Sequence, residues 1–105
     1  ERGNITGIVT DPTGAAIAGA QLTITQRDTN AAVTLTSSTA GEYSAPNLVP
    51  GGYRLEITAT GFKRFVQQNI VVSAGTTVRV DAVLQLGQVS ETVEVTASAA
   101  TIQRA

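Results

Sequence analysis

The feature that most constrains the fold of this chain is a strict alternation of apolar and polar residues. It is clearest over residues 53–60, where every second residue is apolar: Tyr53, Leu55, Ile57 and Ala59. Successive side chains of a β-strand point to opposite faces, so this period of two predicts a strand with one face in a core. Thr, Val and Ile supply 35 of the 105 residues, and β-branched residues favour sheets over helices. The sequence therefore predicts an all-β chain.

Seven segments are predicted to be strands because they alternate or form a short β-branched run between turn residues. In chain order they are 4–10, 20–25, 33–36, 41–44, 53–60, 70–72 and 77–85. Residues 62–67 are interpreted as a crossing segment, and no stretch has the 3.6-residue period of a helix. Seven short strands separated by regular turns predict a single β-sandwich domain. The pattern is complete by Leu86, which divides the chain into a sandwich, 1–86, and an extended tail, 87–105.

The predicted core consists of the inward members of the alternating segments. These are Ala20, Leu22, Ile24, Val33, Leu35, Tyr53, Leu55, Ile57, Val78, Val80 and Leu84.

Several functional classes are excluded by composition. The chain has no His and no Cys, so the usual acid–base pairs, thiolate nucleophiles, disulfides and sulfur-ligated metals have no residues to form them. Its carboxylates are isolated and lack the loop spacing that Ca²⁺ requires. A formal charge of −1 gives no basic surface for nucleic acid, and no apolar run approaches the ~20 residues of a membrane span. We therefore expect no enzyme activity, catalytic residue, cofactor or metal site.

A family resemblance covers residues 3–86. It rests on Gly7-Ile-Val-Thr-Asp11, Gly14, Gly19-Ala-Gln-Leu-Thr-Ile24, Gly41-Glu-Tyr43, Leu48, Pro50-Gly51, Tyr53, Leu55 and Gly61-Phe62. In these positions the chain resembles the carboxypeptidase regulatory-like family. The resemblance implies a transthyretin-like (prealbumin-like), Ig-like fold, a seven-stranded Greek-key β-sandwich that serves as a non-catalytic accessory module.

The tail carries a second resemblance. Its residues Glu91, Thr92, Val93, Glu94, Val95, Thr96 and Ala97 resemble the TonB box, the extended peptide by which TonB grips outer-membrane receptors. This implies the N-terminal extension of an Oar-like TonB-dependent receptor, on the periplasmic side of the outer membrane in the cell envelope. The expected partners are the TonB C-terminal domain and the rest of the parent receptor, and the domain itself is expected to be a monomer or a strand-swapped dimer.

Alternatives remain open at this point. The tail also fits an eighth strand on the edge of its own domain, or a linker without structure. A stalk module of a surface adhesin, similar to Cna B-type domains, is the alternative function, although the only lysine, Lys63, is not on the first strand where the isopeptide bond of those domains begins. Carbohydrate binding needs exposed aromatic rings, for which Phe62 and Phe65 are the only candidates, and both are expected to cap the core instead.

Overall fold

The computed structural model of the protein describes residues 1–96. Nine strands form its regular structure in this range: β1 (Gly3–Thr10), β2 (Gln21–Gln26), β3 (Ala32–Thr36), β4 (Glu42–Leu48), β5 (Gly51–Thr58), β6 (Arg64–Val72), β7 (Thr77–Arg79), β8 (Ala82–Val83) and β9 (Thr92–Thr96). No helix occurs in these residues. The all-β prediction is confirmed, whereas the predicted number of seven strands is corrected to nine.

The strands form two sheets around one core. One sheet has the order β4-β1-β7, with β8 also paired to β1, and the other has the order β3-β2-β5-β6-β9. Neighbouring strands are antiparallel except that β7 and β8 run parallel to β1 and β9 runs parallel to β6. The chain changes sheet after β1, β3, β4, β6 and β8, which is the connectivity of a Greek-key sandwich.

The predicted crossing segment, 62–67, is wrong, because residues 64–72 form one continuous strand, β6, paired with β5. A register shift opposite Tyr53 and Leu55 interrupts that pairing, and Asn69 has a positive φ of 59°. An extra residue of this kind changes which residues face inward. Phe65 is buried before the register shift and Ile70 after it. The inward residues are thus odd-numbered before the shift and even-numbered after it, so the period of two does not run through the whole of β6.

The predicted strand 77–85 is split into β7 and β8, and specific hydrogen bonds hold the residues between them. Val80 and Asp81 lie between the two pieces, and the Asp81 Oδ1 accepts the Ile8 N–H at 3.1 Å in place of a backbone partner. The buried Tyr43 hydroxyl donates to the Val80 carbonyl oxygen at 2.6 Å. Gly7 allows this carbonyl to approach, since a Cβ at Gly7 would lie 1.8 Å from it.

The observed core agrees with eight of the eleven predicted residues. Leu35 and Val78 are partly buried and pack against the core, whereas Val33 is 40% exposed and its assignment to the core is wrong. Val33 lies opposite the fully buried Ile24, so it is on the predicted face. Its side chain is uncovered because β3 is the edge of the sheet.

Candidate functional site

The predicted partner-binding residues lie at the opposite edge of the five-stranded sheet from β3. Thr92, Val93, Glu94, Val95 and Thr96 form β9, which pairs with β6. Glu91 immediately precedes the strand, and Ala97 lies outside the described residues. Of the alternatives left open by the sequence, the structure has residues 92–96 of the tail as a strand on the edge of their own domain. The division of the chain at residue 86 stays a prediction.

A short turn brings the chain to this edge. The N–H of Glu91 donates to the Gln88 carbonyl at 2.9 Å, and the Gln88 N–H donates back to the Glu91 Oε1 at 3.1 Å. Before the turn, Gly87 has a φ of 155° and its N–H donates to the Gly61 carbonyl at 3.2 Å. The Glu91 side chain is thus occupied by the turn and is not presented as part of the strand.

Among residues 1–96, the backbone of β9 is paired on one side, with β6, and has no partner strand on the other. The N–H of Arg64 donates to the Glu91 carbonyl at 2.8 Å, which directs residue 91 towards β6. Polar backbone groups of successive strand residues point to alternate sides. Val93 and Val95 are therefore bonded to β6, and the N–H and C=O groups of Thr92 and Glu94 point away from the domain.

The side chains of residues 92–95 are at most partly buried. Val95 is partly buried and packs against the core; Val93 is also partly buried, while Thr92 and Glu94 are exposed. None of these four side chains is fully buried. A strand with so little buried surface belongs to the least stable part of a fold.

The described residues hold no candidate metal site. Residues 1–96 contain no group of three or more acidic side chains able to hold a metal ion. A shallow groove of about 510 Å³ beside the tail turn has neither acidic nor basic side chains among its lining residues: Gly19, Gln21, Thr58, Ala59, Thr60, Gly61, Gly87, Gln88 and Val89. Within the same range no helix has the length and apolar character to span a bilayer.

The aromatic residues do not form an exposed platform. Tyr43, Tyr53 and Phe65 are each at most 6% exposed, and Phe62 is partly buried against the core. The prediction that Phe62 and Phe65 cap the sandwich is confirmed.

The strand to which the tail binds was not predicted. The alternation of Val93 and Val95 indicates a strand with one apolar face, but a period of two is the same whichever edge accepts it. No local signal in residues 87–96 identifies β6 as the neighbour or predicts the parallel direction. The information lies in the distant segment 64–67, whose own sequence does not alternate as a strand with one buried face would.

Comparisons with solved structures identify the fold. A putative carbohydrate binding protein from Bacteroides uniformis ATCC 8492 is 19% identical, with a TM-score of 0.65 over 79% of this chain and 41% of that chain. Catechol 1,2 dioxygenase from Acinetobacter radioresistens is 14% identical, with a TM-score of 0.64 over 86% and 53%. The group B streptococcus pilus 2b backbone protein is 17% identical, with a TM-score of 0.60 over 83% and 42%.

These likenesses concern the fold alone. The chain spans about two fifths to one half of the length of the three structures, and they differ widely in kind. No curated protein matches the chain in sequence.

The family is identified by sequence. The model of the carboxypeptidase regulatory-like domain matches residues 4–85, which takes in β1 to β8 and stops before β9. The carboxypeptidase regulatory-like domain is non-catalytic, in keeping with an accessory or structural domain. The chain belongs to the carboxypeptidase regulatory-like domain family.

Proposed function

We propose that this domain is a periplasmic accessory domain of a TonB-dependent outer-membrane receptor, and that residues 91–97 are offered to the C-terminal domain of TonB by β-augmentation. The observation that carries the proposal is that β9 is an edge strand with a free outer side. An extended peptide recognised in this way contributes backbone hydrogen bonds, and alternate side chains give specificity.

Two features support binding to β9 while it stays on the domain. The backbone groups of Thr92 and Glu94 point away from β6, so a partner strand can pair with them and leave the existing ladder intact. The side chains of the same two residues are exposed. A partner at this edge would extend the five-stranded sheet by one strand.

The experiment compares proline at two adjacent positions of β9, with binding of the TonB C-terminal domain measured by calorimetry. Proline cannot donate to a ladder. We expect Glu94→Pro to abolish binding and leave the melting curve unchanged, because the Glu94 N–H points away from β6. Val93→Pro is expected to abolish binding as well, and also to release β9, which hydrogen exchange at Val66 and Gln68 would detect because their N–H groups face β9.

The matched control is Thr34→Pro, which places proline on the opposite edge of the same sheet and should leave TonB binding intact. Unchanged binding in Glu94→Pro would exclude pairing at the outer side of β9. If the unaltered chain does not bind TonB while its tail is protected from exchange, the receptor proposal fails and a plain structural module remains.

A stalk module of a surface adhesin is the second candidate, supported by the likeness to the pilus 2b backbone protein. The parent reading frame distinguishes the two: a plug and barrel following the domain support the receptor, and repeated sandwiches with a wall anchor support the adhesin. Carbohydrate binding is disfavoured despite the likeness to a putative carbohydrate binding protein, because the four aromatic side chains are buried or packed against the core.

A further inference from the structure

The edge strand β3 lacks the features that keep sheet edges from pairing. Natural edges carry charges, prolines or irregularities that block the addition of another strand. Strand β4 contains Pro46 and a register irregularity, and the gap between β7 and β8 interrupts the edge that they form. By contrast, β3 pairs with β2 without a register shift, and residues 29–41 contain neither a charged residue nor a proline.

The free backbone groups of β3 can be assigned from its ends. The Gln26 N–H donates to the Ala31 carbonyl at 2.8 Å, and the Ser37 N–H donates to the Ala20 carbonyl at 2.9 Å. Residues 31 and 37 therefore face β2, and by alternation so do 33 and 35. The N–H and C=O groups of Ala32, Thr34 and Thr36 face outwards, where no strand of the described chain covers them.

An apolar surface lies beside these groups. Val33 is 40% exposed and Val49 is 42% exposed, and both line a groove of about 160 Å³ that includes Leu48 and Tyr53 and is bordered by the polar side chains of Arg2, Gln26 and Asn47. Leu35, on the same face of β3 as Val33, is only partly buried. A strand added at this edge would therefore cover apolar side chains as well as pair the backbone.

We propose that β3 binds β3 of a second copy of this chain, antiparallel and with Thr34 on the two-fold axis. This register pairs Thr34 with its own copy and Ala32 with Thr36, so all the outward backbone groups of β3 find partners. On the core side it places Val33 opposite Leu35 of the second copy. The two five-stranded sheets become one continuous sheet.

The absence of charge favours a second copy as the partner. In a two-fold interface each residue near the axis meets the same residue of the other copy, and like charges directly opposite one another are unfavourable. Residues 29–41 place no charge there. A single pair of five-residue strands also buries a small area compared with the ~1,200–2,000 Å² of stable interfaces. The dimer should therefore be weak, and its fraction should rise with protein concentration.

Introducing a charge at Thr34, on the two-fold axis, tests both the partner and the register. Sedimentation equilibrium of the 105-residue chain should show a mass that rises towards the dimer with concentration. Thr34→Glu and Thr34→Lys should each weaken this association by about tenfold or more, because like charges then meet across the axis. An equimolar mixture of the two variants should restore the dimer. Ser44→Glu, an exposed position on the edge strand β4, is the matched control and should dimerise normally.

Cross-linking gives a second readout of the register. The chain contains no cysteine, so a disulfide formed by Thr34→Cys must join two copies at this position. Residues facing each other in a bonded antiparallel pair lie about 5.5 Å apart at Cα, within the ~4.4–6.8 Å of disulfides. We expect rapid oxidation to a covalent dimer, and slow oxidation of the control Ser44→Cys. A chain that stays monomeric up to its solubility limit, a dimer indifferent to Thr34→Glu, or a mixture that does not restore it would each overturn the proposal. None of these results depends on TonB binding.

Discussion

Replacing Gly7 by alanine tests how the sandwich closes the gap between β7 and β8. A Cβ at this position would lie 1.8 Å from the Val80 carbonyl oxygen and 3.0 Å from the Tyr43 hydroxyl. The first separation is far below a van der Waals contact and involves backbone, so the Val80 carbonyl must move. That carbonyl accepts the buried hydroxyl of Tyr43 at 2.6 Å. The substitution therefore both crowds the core and breaks a buried hydrogen bond.

The magnitude follows from these two effects. Overpacking of a close-packed core costs about 1–3 kcal/mol, and leaving a buried hydroxyl or carbonyl unpaired costs about 1–3 kcal/mol. We expect Gly7→Ala to lower the free energy of unfolding by about 2–6 kcal/mol, a large part of the ~5–15 kcal/mol of a typical domain. Urea unfolding followed by circular dichroism measures the loss as a lower midpoint at unchanged slope.

A control and a double variant separate the two effects. Tyr43→Phe removes only the hydroxyl and should cost about 1–3 kcal/mol. Because Gly7→Ala already breaks that hydrogen bond, the double variant should lose less than the sum of the single losses. A cost below about 1 kcal/mol for Gly7→Ala would refute the reasoning, since overpacking alone should exceed it.

Three further predictions concern the core, the pH dependence and the tail. Leu55 is fully buried in β5, so Leu55→Ala should lower the free energy of unfolding, measured by urea melts, by about 2–5 kcal/mol. A loss below about 0.5 kcal/mol would mean that the side chain faces away from the core. Burial raises the pKa of Tyr43 above its ordinary value of 10.0, so the stability that this shift contributes is fully present below pH 10 and is lost as the pH rises further. Tyr43→Phe should therefore flatten the decline of the urea midpoint at alkaline pH. An unchanged decline would contradict the assignment to Tyr43. Deleting residues 88–105 should leave a cooperative unfolding transition and lower the free energy of unfolding by about 1–3 kcal/mol, the contribution of two partly buried valines. An aggregated or unfolded product would show that β9 is an integral strand of the domain.

The strand pattern was predictable where contacts repeat along the chain. In 53–60 each inward residue has the same environment as the next, so a period of two is sufficient to predict the strand. The segment 77–85 alternates equally well, yet it is interrupted at Val80 and Asp81. The interruption depends on a carboxylate that replaces a backbone acceptor and on a tyrosine 37 residues away in sequence from the carbonyl it binds. Contacts of this kind are set by tertiary structure and leave no local periodicity.

Val33 shows a related limit of sequence reasoning. Alternation predicts which face a side chain occupies, and Val33 does share the face of Ile24. Burial also requires a neighbouring strand or an opposing sheet above that face. Whether β3 is central or at an edge is decided by the order of strands in the sheet, and the sequence of β3 does not contain that order. The error in Val33 is therefore an error about position in the sheet, with the face correctly predicted.

The same distinction changes how the tail can be recognised. Taken alone, residues 91–97 would present Val93 and Val95 to a partner, as their alternation predicts. On the domain, Val95 already packs against the core, and the backbone groups of both valines are directed to β6. A partner that binds docked β9 therefore contacts Thr92 and Glu94, whereas a partner that recognises the valines must first release the strand from β6. Stronger pairing between β6 and β9 favours binding to the docked strand. It opposes binding to the released strand, because the free energy of release is subtracted from the free energy of binding.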